Sequence, residues 1–161
     1  EWVNSQHLSN LTLDEFKDHL KPFLSKININ IENHSNVNLL ISAMRSSENT
    51  LAGIAESLAP YYNDELIYDT NAIDKFLSDN TIILDDIKDI LSDLEDWTED
   101  NLENALKAYQ ADKNLPIPKV NQPIRIALTG STKSPSLGLT LSIFGKDSAI
   151  KRIEALIAFL Q

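Results

Sequence analysis

Thr81-Ile82-Ile83-Leu84-Asp85-Asp86-Ile87-Lys88-Asp89-Ile90-Leu91-Ser92-Asp93-Leu94 is the stretch whose reading decides the fold class. Ile83, Ile87, Ile90, Leu91 and Leu94 recur at three- and four-residue steps, the period of a helix with one face in a core. Asp85, Asp89, Asp93 and Asp96 fall on a different face. Carboxylates at that spacing can hold a hard cation, but the plainer reading is a solvated face, and no metal site is expected.

The same period continues toward the N-terminus. Thr12-Leu13-Asp14-Glu15 is a capping box, with Thr12 as N-cap and Glu15 reaching back to the open amides. It predicts a helix burying Leu13, Phe16, Leu20, Phe23 and Leu24, which Pro22 bends or brings to its last turn. Residues 27–34 are Asn-rich and read as a connection that pins Ile27, Ile29 and Ile31. Helices are predicted over 35–44, with Val37, Leu40, Ile41 and Met44 inward, over 50–59 up to Pro60, and over 71–78.

Toward the C-terminus, Thr98 is an N-cap followed by acids that suit a positive helix end. The helix it starts runs to about Lys113 through Leu102, Ala105, Leu106 and Tyr109, and Pro116 and Pro118 break it. The next, over 120–128, tolerates Pro123 only in its first turn, which moves the expected start toward Gln122. Residues 129–136 form a polar loop entered by a helix stop at Gly130. Helices over 137–144 and 148–160 complete an all-α chain of two packed helical subdomains, expected as residues 1–96 and 97–161 and meeting near Trp97.

With no cysteine among 161 residues, disulfides and thiolate zinc sites are excluded. His7, His19 and His34 are not spaced as a helical metal pair, and no apolar run reaches membrane-spanning length. A cytoplasmic, monomeric protein without membrane contact is the expectation. The first residue is Glu1, so a fragment or processed form is expected as well. The net charge of −10 argues against nucleic acid until its distribution is considered. Residues 113–161 carry seven bases against two acids, about +5, while residues 1–112 carry about −15. Such asymmetry is a hint of polyanion contact, and a solvated basic face explains it equally well.

Nothing in the sequence resembles an active site. Four glycines form neither a phosphate-cradling loop nor a dinucleotide fingerprint, and no nucleophile elbow accompanies the scattered Ser, His and acidic residues. The informative constellation is the loop from Thr129 to Leu137, rich in hydroxyls and amides within the basic third. Specific RNA recognition reads unpaired bases splayed out from the strand. In that reading Lys133 meets a phosphate while Pro135 and Leu137 pack against a base. An ordinary helix-to-helix connection, with Pro135 opening the next helix, is the simpler alternative.

Gln122-Pro123-Ile124-Arg125-Ile126-Ala127-Leu128-Thr129-Gly130, followed by Ser134-Pro135 and Leu137, resembles the signature near the C-terminus of bacterial glutamyl-tRNA synthetases. Gly145-Lys146 and the terminal helix extend the resemblance, as do Trp97-Thr98-Glu99, Trp2-Val3-Asn4 and His7-Leu8. The resemblance implies a class I synthetase anticodon-binding helical bundle of two subdomains. The first would help read the third anticodon base of tRNA, and the second would contact the first two. It implies that Ser134, Pro135, Ser136 and Leu137 surround the anticodon's first base, and that Arg125 either braces loop carbonyls or touches RNA. The family's nucleotide-binding signatures are absent from these residues. ATP and magnesium are therefore expected only in a catalytic domain, with no cofactor here.

One departure stands out. Family members that separate tRNA-Glu from tRNA-Gln place an arginine shortly before a Thr-Leu helix start. Anchored on Thr50-Leu51, that position is Ser47, with Arg45 two residues earlier. Serine cannot form the forked bonds of a guanidinium. Relaxed reading of the third base, admitting tRNA-Gln, is the expectation, unless a shifted register lets Arg45 reach in. An acidic helical protein-interaction module is the rival from another function class.

Overall fold

The computed structural model describes residues 10–31, 35–78 and 81–161. Trp2, Asn4, His7 and His34 lie outside the described residues. Among those described the regular structure is helical, with no strand. The contacts divide the chain into Glu1–Glu65 and Leu66–Gln161.

The first unit holds α1 (Leu13–Lys26), α2 (Val37–Arg45), α3 (Leu51–Leu58) and a 3-10 turn, Ala59–Tyr61. α1 begins as its capping box dictates. The Glu15 amide donates to Thr12 Oγ1 at 3.3 Å, and the Thr12 amide donates to Glu15 Oε2 at 2.9 Å. Those Thr12 donors hold the Glu15 carboxyl below its usual range. Phe16, Leu20 and Leu24 are buried, while Leu13 and Phe23 are half-buried. α1 runs past Pro22 to Lys26, so Pro22 does not end it. Of the three isoleucines expected to be pinned, Ile29 and Ile31 are buried and Ile27 is exposed. The four inward residues of α2 are all buried, and α1 and α2 both pack on α3 through Ile54, Ala55 and Leu58.

The second unit holds α4 (Thr70–Leu77), α5 (Ile82–Asp93), α6 (Glu99–Lys113), α7 (Ile117–Thr129), α8 (Leu137–Phe144) and α9 (Lys146–Leu160). Leu84, Ile87 and Leu91 of α5 join Leu102, Leu106, Val120, Ile124, Leu141, Ile153 and Leu156 in one core. Burying such side chains stabilises by roughly 1.5–3 kcal/mol each. Leu84, outside the expected stripe, is fully buried; Ile90 and Leu94 only lean on the core. Asp85, Asp89, Asp93 and Asp96 are exposed, as a solvated face requires. No group of three or more possible metal ligands occurs among the described residues.

The division expected at 96/97 does not coincide with the one found. α4 packs on α7, and α5 packs on α6, α7 and α9, which places residues 66–96 with the C-terminal helices. Trp97 is not a seam: its indole Nε1 donates to the Leu141 carbonyl at 3.0 Å. The start of α7 also differs. It begins at Ile117, and Pro118 occupies the first turn, where a missing amide costs nothing. Pro123 therefore lies inside the helix and is buried. α9 begins at Lys146, two residues before the expected start. No helix of the described residues is long and apolar enough to cross a membrane.

Candidate nucleic-acid interface

The loop between α7 and α8 is fixed from three sides. At its entry Gly130 adopts φ +78°, the left-handed conformation that glycine takes without penalty. Its amide donates to the Ile126 carbonyl and its own carbonyl accepts from the Asp69 amide, both at 2.8 Å. A methyl group at this position would stand 2.4 Å from the Ile67 carbonyl oxygen. Only glycine fits there. The adjacent Thr129 hydroxyl lies 2.9 Å from the Arg125 carbonyl and 3.2 and 3.4 Å from those of Ser131 and Lys133. It gathers the turn from inside.

Arg125 braces the far side. Its Nε donates to Ser134 Oγ at 3.0 Å and its Nη2 approaches the Pro135 carbonyl at 3.5 Å. Ser134 Oγ donates to that carbonyl at 3.0 Å. One planar guanidinium thus addresses two consecutive residues with a fixed fork of donors, a geometry that the rotatable donors of an ammonium do not hold. At the exit Ser136 caps α8, accepting from the Leu139 amide at 3.3 Å and donating to Glu99 Oε1 at 2.9 Å. The Gly138 amide donates to Glu103 Oε1 at 2.9 Å. Glu103 therefore already satisfies an amide at the N-terminus of α8, an end that otherwise attracts anions.

The site residues expected from sequence separate into distinct roles. Lys133 is exposed, and Ser134 and Pro135 are half-buried at the loop surface. Leu137 is only 2% exposed and belongs to the core. Its expected packing against a base is corrected: it anchors the first turn of α8 and presents no face outward. Arg45 and Ser47 lie in the first unit. Arg45 Nη2 donates to the Leu11 carbonyl at 3.0 Å, and the guanidinium carbon lies 4.5 Å from the Phe16 ring centroid. That cation ties the end of α2 to the start of α1. Ser47 is exposed just past α2, its hydroxyl donating to the Met44 carbonyl at 3.2 Å.

Sequence reasoning missed how the basic third spends its charge. Lys146 Nζ donates to the Leu94 carbonyl at 2.8 Å, at the C-terminal end of α5. Arg152 Nη1 donates to the Leu128 carbonyl at 2.9 Å, in the last turn of α7, and lies over the Phe144 ring at 4.5 Å. Cations at these ends offset partial negative charge and unmatched carbonyls. Net charge alone does not distinguish such helix-end partners from phosphate partners. Lys119, Lys133 and Lys151 are exposed.

Comparisons with known proteins identify the family and the fold. The family model described as "Anticodon binding domain" matches residues 15–157. The glutamate–tRNA ligase of Myxococcus xanthus is 32% identical over 156 residues, covering 96% of this chain and 33% of that protein. Glutamate–tRNA ligase 1 of Syntrophus aciditrophicus is 29% identical over 161 residues, covering 99% of this chain and 34% of its own. The solved glutamate tRNA ligase of Elizabethkingia meningosepticum superposes with a TM-score of 0.82 at 20% identity, over 99% of this chain and 32% of that one. The likeness to that structure supports the all-α fold. The chain spans about a third of the length of the curated relatives it matches. With the family match running through nearly all of the described helices, the chain belongs to the anticodon-binding domain family.

Proposed function

We propose that this chain is the anticodon-binding part of a glutamate–tRNA ligase and reads the anticodon loop of tRNA-Glu. The observation that carries the proposal is the braced loop at residues 130–136, a rigid polar turn in the basic third of the chain. Unpaired bases are recognised by such fixed donors and acceptors, because a partner that need not be ordered on binding loses less entropy. Lys133 serves a phosphate and Pro135 a base face. Arg125 acts through the loop rather than on RNA. The catalytic chemistry, with ATP and magnesium, belongs to the ligase's catalytic domain, and no residue here is assigned to it. Anticodon contacts position the tRNA so that its distant acceptor end enters that domain. The working form is a cytoplasmic monomer.

Ser47 carries the finer proposal. Arg45 is engaged by Leu11 and Phe16, which favours Ser47 as the residue facing the third anticodon base. A serine there relaxes discrimination, so tRNA-Gln is admitted alongside tRNA-Glu. Titration with a tRNA-Glu transcript and with an anticodon-substituted one tests the first claim. A preference of about tenfold is expected, the scale of one lost base contact. Equal affinities would contradict it and fit the acidic protein-interaction module instead. In the ligase, Ser47→Arg is expected to raise the charging ratio of tRNA-Glu over tRNA-Gln by about tenfold. An unchanged ratio counts against Ser47.

A further inference from the structure

At the exit of the loop α8 packs on α6, and Gly138 sets how closely the two helices approach. A Cβ at 138 would stand 2.8 Å from the Glu99 carbonyl oxygen and 2.7 Å from Glu103 Cγ. The glycine thus leaves room for the half-buried Glu103 side chain to bring its Oε1 to the Gly138 amide, at 2.9 Å. Glu99 reaches the same end, its Oε1 accepting from Ser136 Oγ at 2.9 Å. An acid in a helix's own first turn, such as Glu15 of α1, is an ordinary cap. Glu99 and Glu103 instead come from another helix, 37 and 35 residues away in sequence from the groups they hold. The first unit shows a similar arrangement just after Ser47. A Cβ on Gly53 would stand 2.9 Å from Glu48 Oε2, so a carboxylate lies against the first turn of α3 as well. Both turns assigned to RNA therefore lead into helices whose anion-attracting ends are already filled.

We propose that Glu103, reinforced by Glu99, is a specificity-determining residue that occupies the N-terminus of α8 in place of a phosphate and keeps the RNA backbone from binding there. The proposal rests on the anticodon-loop reading and adds a residue to it. A free helix N-terminus beside the loop would offer amides and a positive dipole end to any phosphate. Phosphates are alike on every nucleotide, so a contact of that kind strengthens binding without reporting sequence. With the end filled by a carboxylate, a strand that reaches the loop is held by groups that meet its bases. A neutral acceptor would satisfy the Gly138 amide equally well. The negative charge is what excludes a phosphate, and it is the part of Glu103 that capping alone does not require.

The test uses the 161-residue chain and two RNA hairpins at low salt, one carrying the tRNA-Glu anticodon stem-loop and one with its anticodon replaced. Glu103→Gln keeps an oxygen for the Gly138 amide and removes the charge. It is expected to tighten binding of the replaced hairpin about fivefold and of the tRNA-Glu hairpin by no more than about twofold, so the preference narrows. The gain should steepen the salt dependence by about one counterion and disappear at high salt. Titration with inorganic phosphate, followed at the Gly138 amide shift, gives a second measurement. The parent should not respond, and Glu103→Gln should show a saturable change. Glu99→Gln alters an exposed side chain and should act in the same direction to a smaller extent, which keeps the test decisive if Glu103→Gln folds poorly. Unchanged affinities for both hairpins in the folded variant would overturn the proposal, reduce Glu103 to a neutral cap and leave the loop reading standing. Equal affinity of the parent chain for the two hairpins would overturn both.

Discussion

Gly130→Ala is expected to destabilise the C-terminal unit by about 3 kcal/mol and to abolish measurable hairpin binding. Two costs combine. A non-glycine residue in the left-handed conformation costs roughly 1–2 kcal/mol. The new methyl would also meet the Ile67 carbonyl oxygen at 2.4 Å, so one of the two backbones must move and the 2.8 Å Asp69–Gly130 bond is lost, at about 1 kcal/mol. Urea unfolding of the two proteins measures the difference. Gly145→Ala is the control. Gly145 also has a positive φ of +76°, but a methyl there has no neighbour within 4 Å. With ψ 163° Gly145 lies in an extended positive-φ region that only glycine populates, so alanine there should carry a conformational cost at least as large, with hairpin affinity kept. Loss of hairpin affinity in both variants would show that the Ile67 contact does not account for the binding effect.

Arg125→Lys is expected to weaken hairpin binding about tenfold while costing no more than about 1.5 kcal/mol of stability. The substitution keeps the charge and removes the fork that spans Ser134 and Pro135. This separates bracing from phosphate contact. A phosphate-binding arginine replaced by lysine would keep most of its attraction, and its deletion would reduce the salt dependence by about one counterion. A brace loses affinity through a loosened loop with the salt dependence unchanged. Arg125→Lys with parental affinity would contradict the brace.

Much of the fold could be read directly from the residues. The capping box at Thr12 and Glu15 needs only local geometry, and both of its hydrogen bonds are made. The helix period placed the inward faces of α2 and α5 because amphipathic helices separate water from core by spacing alone. Where the reading failed, tertiary contacts decided. Leu84 is buried because α5 is covered over a wider arc than one stripe. Pro118 reads as a breaker unless it is placed in the first turn, and Pro123 sits inside a helix that surrounding burial sustains. The unit boundary falls earlier than residue 96 because the packing of α4 on α7 joins residues far apart in sequence.

The loop that carries the candidate site is legible in the sequence as local structure, and its packing is not. Gly130 as a helix stop and Ser134-Pro135 as surface loop follow from residue type. An apolar residue at a loop's end, such as Leu137, has two possible destinations, a base face or the core, and only packing shows that it faces the core. The positive charge of the C-terminal third is visible in the sequence, and its use is not. Arg125, Lys146 and Arg152 all donate within the protein. No spacing rule distinguishes a cation held by a distant carbonyl from one awaiting a phosphate.

Amide chemical shifts of the isotope-labelled chain, followed during titration with the tRNA-Glu anticodon hairpin, test the central claim most directly. The braced turn predicts the largest changes at residues 131–134 and 136, diminished when the hairpin's anticodon is replaced. Changes concentrated on the acidic face of α5, or identical for both hairpins, would contradict it.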